Sequence, residues 1–122
     1  MEGGITFLDL TKAFDTVSHA HIMKALDRLK ICNHYKDLIK DLYTNIHTTI
    51  HHQGNSTNQI RIERGVKQGD PLSPILFNIC MDPLIQTIEK KKIGYKFTGG
   101  ELSTLVYADD TAIITHSIHD MN

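Results

Sequence analysis

The sequence predicts an α/β (α+β) domain. Three observations carry this: an early apolar run ending in an acid, amphipathic helical stretches in the middle, and a late pair of apolar strands around a tight turn. Its 122 residues suffice for one compact domain with a modest core and not for several. Hydrophobic residues at 40% and charged residues at 22% lie well away from the profile of disorder, so the chain is expected to fold.

Ile5 to Leu10 reads as a buried strand with Asp9 at its C-terminal end, the place where open α/β sheets put chemistry. After the Lys12-Ala13-Phe14-Asp15 connection, Ser18 caps a helix on which Ile22, Leu26 and Leu29 recur at helical spacing. Asn33 is the expected cap of a second helix, with Tyr35, Leu38, Ile39, Leu42 and Tyr43 along one face. His47 to His52 and Gln59 to Glu63 predict a hairpin around Gln53-Gly54-Asn55-Ser56. Ser73 as cap and Pro74 at the first helical position start a third long helix, which Pro83 is expected to kink or restart after Asp82. Lys90-Lys91-Lys92 and Gly94 end it, and strands at Leu102 to Tyr107 and Thr111 to Thr115 flank Ala108-Asp109-Asp110.

Thirteen Lys+Arg against 14 Asp+Glu leave a net charge of -1, which is not the footprint of an independent nucleic-acid binder. Eight histidines soften that balance below neutral pH. Cys32 and Cys80 form no C-x-x-C pair and no apolar leader stands near Met1. Both are expected to be free thiols of an intracellular protein, nuclear or cytoplasmic, that is not secreted. No apolar run approaches the ~18 residues of a membrane-spanning helix, so no membrane is expected as a partner.

Tyr107-Ala108-Asp109-Asp110 sets adjacent acids at the tip of an apolar hairpin. Two carboxylates held close repel, and a hard divalent cation between them lowers that cost, although Asp-Asp is also a common turn pair. Asp9 shifts the balance, because its strand can pair in one sheet with the hairpin and bring all three carboxylates to one edge. Nucleotidyl transfer needs such a cluster to place two magnesium ions. A third block, Arg64 to Pro74, reads as a turn into a capped helix, but that leaves Gln68-Gly69 unexplained. A glycine admits a ligand close to the backbone, and a neighbouring amide can stack or hydrogen-bond there.

In this order the blocks resemble the reverse transcriptase family. Phe7 to Val17 is similar to its first catalytic motif, Gly65 to Pro74 to its second, and Tyr107 to Asp110 to its Y-x-D-D motif. The F-D-x-V and Q-G-D-P-L-S-P forms are most similar to non-LTR (LINE-like) retrotransposons. The resemblance implies a polymerase palm, an antiparallel sheet with helices packed on one face. It further implies a chain covering the middle of the family's enzyme, residues 1–122 being a truncated palm with fingers, thumb and endonuclease absent.

The implied function is RNA-directed DNA synthesis. Asp9, Asp109 and Asp110 are then catalytic and metal-binding, with Leu10 adding a backbone carbonyl. Phe14 is the wall under the incoming sugar, and Gln68 and Gly69 line the deoxynucleotide and template pocket. The implied cofactor is Mg2+, two ions, with Mn2+ as a substitute; the implied partners are an RNA template, a DNA primer and dNTP. The isolated chain is expected to bind nucleic acid weakly or not at all. Two alternatives stay open: an inactive relic or binding fragment, and an RNA-directed RNA polymerase, which Phe14 and Gln68-Gly69 oppose. Asp15 has no derived role beyond fixing its loop. The histidines and Lys90-Lys91-Lys92 read as solvated surface.

Overall fold

In the computed structural model, which describes residues 3–121, the first apolar run forms β1 (Gly4–Leu8). Met1, beside which no leader is read, lies outside the described residues. A short helix, α1 (Ala13–Thr16), connects to α2 (His19–Arg28), whose cap Ser18 accepts a hydrogen bond from the His21 N–H at 3.1 Å. α3 (Asn33–Tyr43) leads into a polar ribbon of four two-residue strands, β2 (His47–Thr48), β3 (His51–His52), β4 (Asn55–Ser56) and β5 (Ile60–Arg61). α4 (Leu72–Lys90) follows, then β6 (Tyr95–Phe97), β7 (Gly100–Leu102), β8 (Thr104–Tyr107) and β9 (Asp110–Thr115). A 3₁₀ turn at Ile118–Met121 is the last described element.

The core lies among the helices. Ile22 and Leu26 of α2 and Leu76 and Phe77 of α4 are each 1% exposed, and burying such a side chain contributes about 1.5–3 kcal/mol. Ile39 and Tyr43 of α3 and Val66 complete the packing. Among the described residues no helix is long and apolar enough to cross a membrane.

β9 is the central strand of the main sheet, in the order β1-β9-β8, and both pairings are antiparallel. Side chains alternate between faces. One face carries Gly4, Thr111 and Thr115, all buried, with Leu8 half-buried, and α4 lies against it through β8. The other carries Ile5, Phe7, Leu105 and Tyr107, from 54% to 83% exposed, and at one end Asp9 and Asp110.

Several local expectations need correction. The third long helix starts at Leu72, not after a Ser73 cap. Asp70 Oδ1 takes the Leu72 N–H at 2.8 Å, while Ser73 is buried and donates to the Lys67 carbonyl. Of the kink or restart expected at Pro83, the restart does not occur: α4 is continuous there, since its packing on α2 outweighs one missing N–H. Asn33 is the first residue of α3 and Cys32 holds the cap position, making no side-chain bond. The predicted face of α3 splits, because Ile39 and Tyr43 are buried whereas Tyr35, Leu38 and Leu42 are exposed.

The ribbon turns at Gln53-Gly54 alone, with φ 47° and 82°, the positive pair of a type I′ hairpin. This frees Asn55-Ser56 to pair with His51-His52. The β6–β7 hairpin was not foreseen. It turns at Thr98-Gly99, with Gly99 at φ 112°, and brings Gly94 so close to Leu102 that a Cβ would meet its carbonyl at 2.7 Å.

Candidate active site at the acidic sheet edge

The register of β1 on β9 pairs Phe7 with Ala112 and Leu8 with Thr111. Asp9 is the first residue past the end of β1, and that register, continued one step, leads it toward Asp110, the first residue of β9. On the other side Tyr107 pairs with Asp110, so Ala108-Asp109 is a two-residue turn. Residues a hundred positions apart thereby meet at one sheet edge. Asp9 and Asp110 open on a single cleft of about 660 Å³ that Phe7 and Tyr107 also line. Asp109, half-buried, sits in the turn itself and does not line that cleft. Among the described residues no three His, Cys, Asp or Glu side chains are gathered into a ready-made metal cage.

Two residues near this edge have left-handed backbone. Ala108 has φ 53° and Lys12, between Asp9 and Phe14, has φ 52°. Non-glycine residues pay roughly 1–2 kcal/mol there; Lys30, Asn45, Gln53 and Lys92 share this conformation elsewhere in the fold. The Leu10 carbonyl accepts the Ala13 N–H at 3.1 Å, which leaves its second lone pair available.

A chain of clefts links the acids to the other predicted residues. Tyr107 is shared between the acidic cleft and a second of about 440 Å³, which reaches Phe14, Pro74 and Asn78. Phe14 and Pro74 are shared in turn with a third of about 560 Å³, lined by Lys67, Gln68, Gly69 and Asp70. Phe14 is half-buried and stacks on Phe77, ring centroids 4.7 Å apart and 16° from parallel. Gly69, at φ 84°, faces open space.

Asp15 has a definite partner that sequence reasoning missed. Its Oδ1 accepts a hydrogen bond from the Gln68 side-chain amide at 3.1 Å. The loops carrying the two residues are also joined by backbone bonds, Gly65 N–H to the Val17 carbonyl at 2.7 Å and Val66 N–H to the Phe14 carbonyl at 2.8 Å. No local signal announces a contact across 53 positions. Pro74, the last residue of the second motif block, and Asn78, one helical turn on and not singled out in the sequence, also line these clefts.

Both cysteines are free thiols, Cys32 exposed and Cys80 buried. Burial pushes the Cys80 thiol up to about 11, which keeps it protonated and inert.

Comparison with known proteins agrees with the geometry. The family described as reverse transcriptase (RNA-dependent DNA polymerase) matches residues 2–122. The chain is 40% identical over 111 residues to the Pol polyprotein of the type-1 retrotransposable element R2 from Popillia japonica, covering 90% of this chain and 18% of that protein. It is 37% identical over 113 residues to the corresponding protein of the type-2 element R2DM from Drosophila melanogaster, covering 93% and 11%. With the RNA-directed DNA polymerase of the mobile element jockey from Drosophila funebris it shares 29% over 114 residues, covering 93% and 12%. The chain thus spans less than a fifth of the length of these relatives. With the family matched over residues 2–122 and retrotransposon proteins its relatives, the chain belongs to the reverse transcriptase family, in its non-LTR branch.

Proposed function

We propose that the chain is the palm segment of an RNA-directed DNA polymerase and that Asp9, Asp109 and Asp110 form its catalytic edge. One observation carries the reading, the pairing of Leu8 with Thr111, which draws Asp9 alongside the acidic turn.

Reverse transcriptases use divalent metal ions, generally Mg2+. The residues present fit such ions in kind: carboxylate oxygens of Asp9 and Asp110 facing one cleft, with Asp109 and the Leu10 carbonyl adjacent, are the hard donors Mg2+ takes. Two bound ions, Mg2+ or in its place Mn2+, would supply a more acidic primer 3′-hydroxyl and neutralise charge at the phosphorus. The reaction is attack of that hydroxyl oxygen on the α-phosphate of a deoxynucleoside triphosphate, with loss of the proton and departure of pyrophosphate.

The chain's own work is positioning. Phe14, braced by Phe77, is the wall beneath the incoming sugar and obstructs a 2′-hydroxyl. Gln68 and Gly69 line the nucleotide and template pocket, and Asp15 is a positioning residue that aims the Gln68 amide. Template RNA, primer DNA and dNTP are the partners of the parent protein.

Primer extension by the chain on an RNA template, with Mg2+ and labelled deoxynucleotides, tests the activity. Incorporation lost in Asp109→Asn is the expected result. No incorporation at any protein concentration would assign the chain to the inactive alternative. Mn2+ titration followed by electron paramagnetic resonance tests the site without turnover: binding should weaken in Asp9→Asn and in Asp109→Asn. Equal binding in all three proteins would refute the assigned ligands.

A further inference from the structure

The near-zero net charge hides an uneven distribution. Residues 90–97 read Lys-Lys-Lys-Ile-Gly-Tyr-Lys-Phe, four cations and two aromatics in eight positions. The two ion pairs among the described residues are Lys36–Asp27 and Arg61–Glu63, so all four ammonium groups stand outside them. Lys96 lies across from Glu101 in the β6–β7 register, but a Glu101 carboxylate oxygen is engaged by the Gly94 N–H at 2.9 Å. Lys90, Lys91 and Lys92 are exposed at the end of α4.

The aromatics are placed as a platform. Tyr95 and Phe97 alternate along β6 and therefore share one face of the hairpin. They remain 46% and 55% exposed, a large apolar area left in water. The Phe97 ring lies over Gly100, 3.3 Å from where a Cβ would stand, so the missing side chain opposite lets the ring lie flat. Tyr95 is flanked by the His116 ring at 6.4 Å, and the His116 N–H to Ile93 carbonyl bond, 2.9 Å, pins the hairpin to the end of β9. Tyr95 is three residues from Lys92, at most about 11 Å between Cα atoms. The platform is remote from the acids: β9 separates His116 from Asp110, roughly 20 Å at about 3.3 Å per residue.

Uncompensated ammonium groups beside exposed rings match a single nucleic-acid strand, which offers phosphates to the cations and unpaired bases to the rings. We propose that the end of α4 and the β6–β7 hairpin form a second RNA-binding surface, distinct from the catalytic edge. There Tyr95 and Phe97 stack unpaired bases while Lys90, Lys91 and Lys92 hold the backbone phosphates. The choice of RNA over DNA rests on the proposed function, in which the template is the strand that is single over a length. Such a surface would give the chain an RNA contact of its own, where its net charge led to an expectation of weak or no binding.

The test is fluorescence anisotropy of a labelled oligouridylate with the 122-residue chain, circular dichroism verifying that each variant is folded. Replacing the three lysines (Lys90→Gln, Lys91→Gln, Lys92→Gln) should weaken binding and lower the slope of log K against log salt by about 2, at about 0.7 per phosphate contact. Tyr95→Ala with Phe97→Ala should weaken binding about tenfold or more and leave that slope unchanged, because stacking releases no counterions. An RNA duplex, whose bases are paired, should compete poorly. The proposal is overturned if wild type binds no RNA, if both variants bind as wild type does, or if duplex competes as well as single strand. Tighter binding to the matching deoxyoligonucleotide, or to phosphatidylserine vesicles with the same variant dependence, would overturn the assignment to RNA. The outcome is separable from primer extension: an inactive chain that holds RNA through these residues keeps the surface, and an active chain whose RNA binding ignores them loses it.

Discussion

Gly65→Ala probes the junction on which the nucleotide-side clefts depend. Gly65 has φ 94°, and a Cβ there would stand 3.2 Å from both the Cα and the carbonyl oxygen of Asp15. Two penalties follow: alanine in a left-handed conformation costs roughly 1–2 kcal/mol, and forcing backbone off backbone adds about 1–3 kcal/mol of overpacking. Gly54 supplies the control, since at φ 82° it has nothing within 4 Å of its would-be Cβ and Gly54→Ala meets the first penalty alone. Urea denaturation followed by far-ultraviolet circular dichroism should find Gly65→Ala less stable than Gly54→Ala by about 1–3 kcal/mol. Equal losses would refute the close approach, and with it the coupling of the Asp15 loop to the Gln68 loop. Where extension is measurable, Gly65→Ala should also raise KM for the deoxynucleotide, because the Asp15–Gln68 bond spans that junction.

Other expectations concern the core. The Tyr43 hydroxyl is buried without a hydrogen-bond partner, so Tyr43→Phe should raise stability by about 1 kcal/mol in urea; a loss of that size would mean that the hydroxyl has a partner in solution. Cys80 gives a pH dependence whose sign is fixed by its shift from 9.0 to about 11. The folded state holds the thiol proton where the unfolded chain releases it, so this contribution is full below about pH 9 and declines as pH rises to 11. The decline is on the order of 2 kcal/mol. Thermal melts across that range should show it in wild type and not in Cys80→Ala, and parallel profiles would refute it.

Much of this protein is local and therefore legible in one dimension. The Ser18 cap is a contact between residues three apart, and apolar spacing marked Ile22 and Leu26 as core, while Leu29 of the same series caps the helix end and is 43% exposed. The early strand and the acidic hairpin tip follow from runs of a few residues, although β1 stops at Leu8, short of Asp9, and is largely exposed where a buried strand was expected; three motifs in order fixed the family. The Thr98-Gly99 turn was equally local, but β6 is a strand of only three residues, and lysines and glycines around it masked its alternation.

Tertiary structure alone decided the rest, because packing and pairing join positions the chain does not place near one another. The β1–β9 register brings Asp9 and Asp110 to one cleft, and a slip of one position would turn the strand's side chains to the opposite face. Packing against α2 carries α4 through Pro83, where propensity predicts a kink or a restart. It also selects Ile39 and Tyr43 from an α3 face whose other apolar members stay in water. Asp15 and Gln68 become partners only when Gly65 lets two loops touch. Periodicity can say which residues seek burial, but which neighbours they find depends on how the elements pack together.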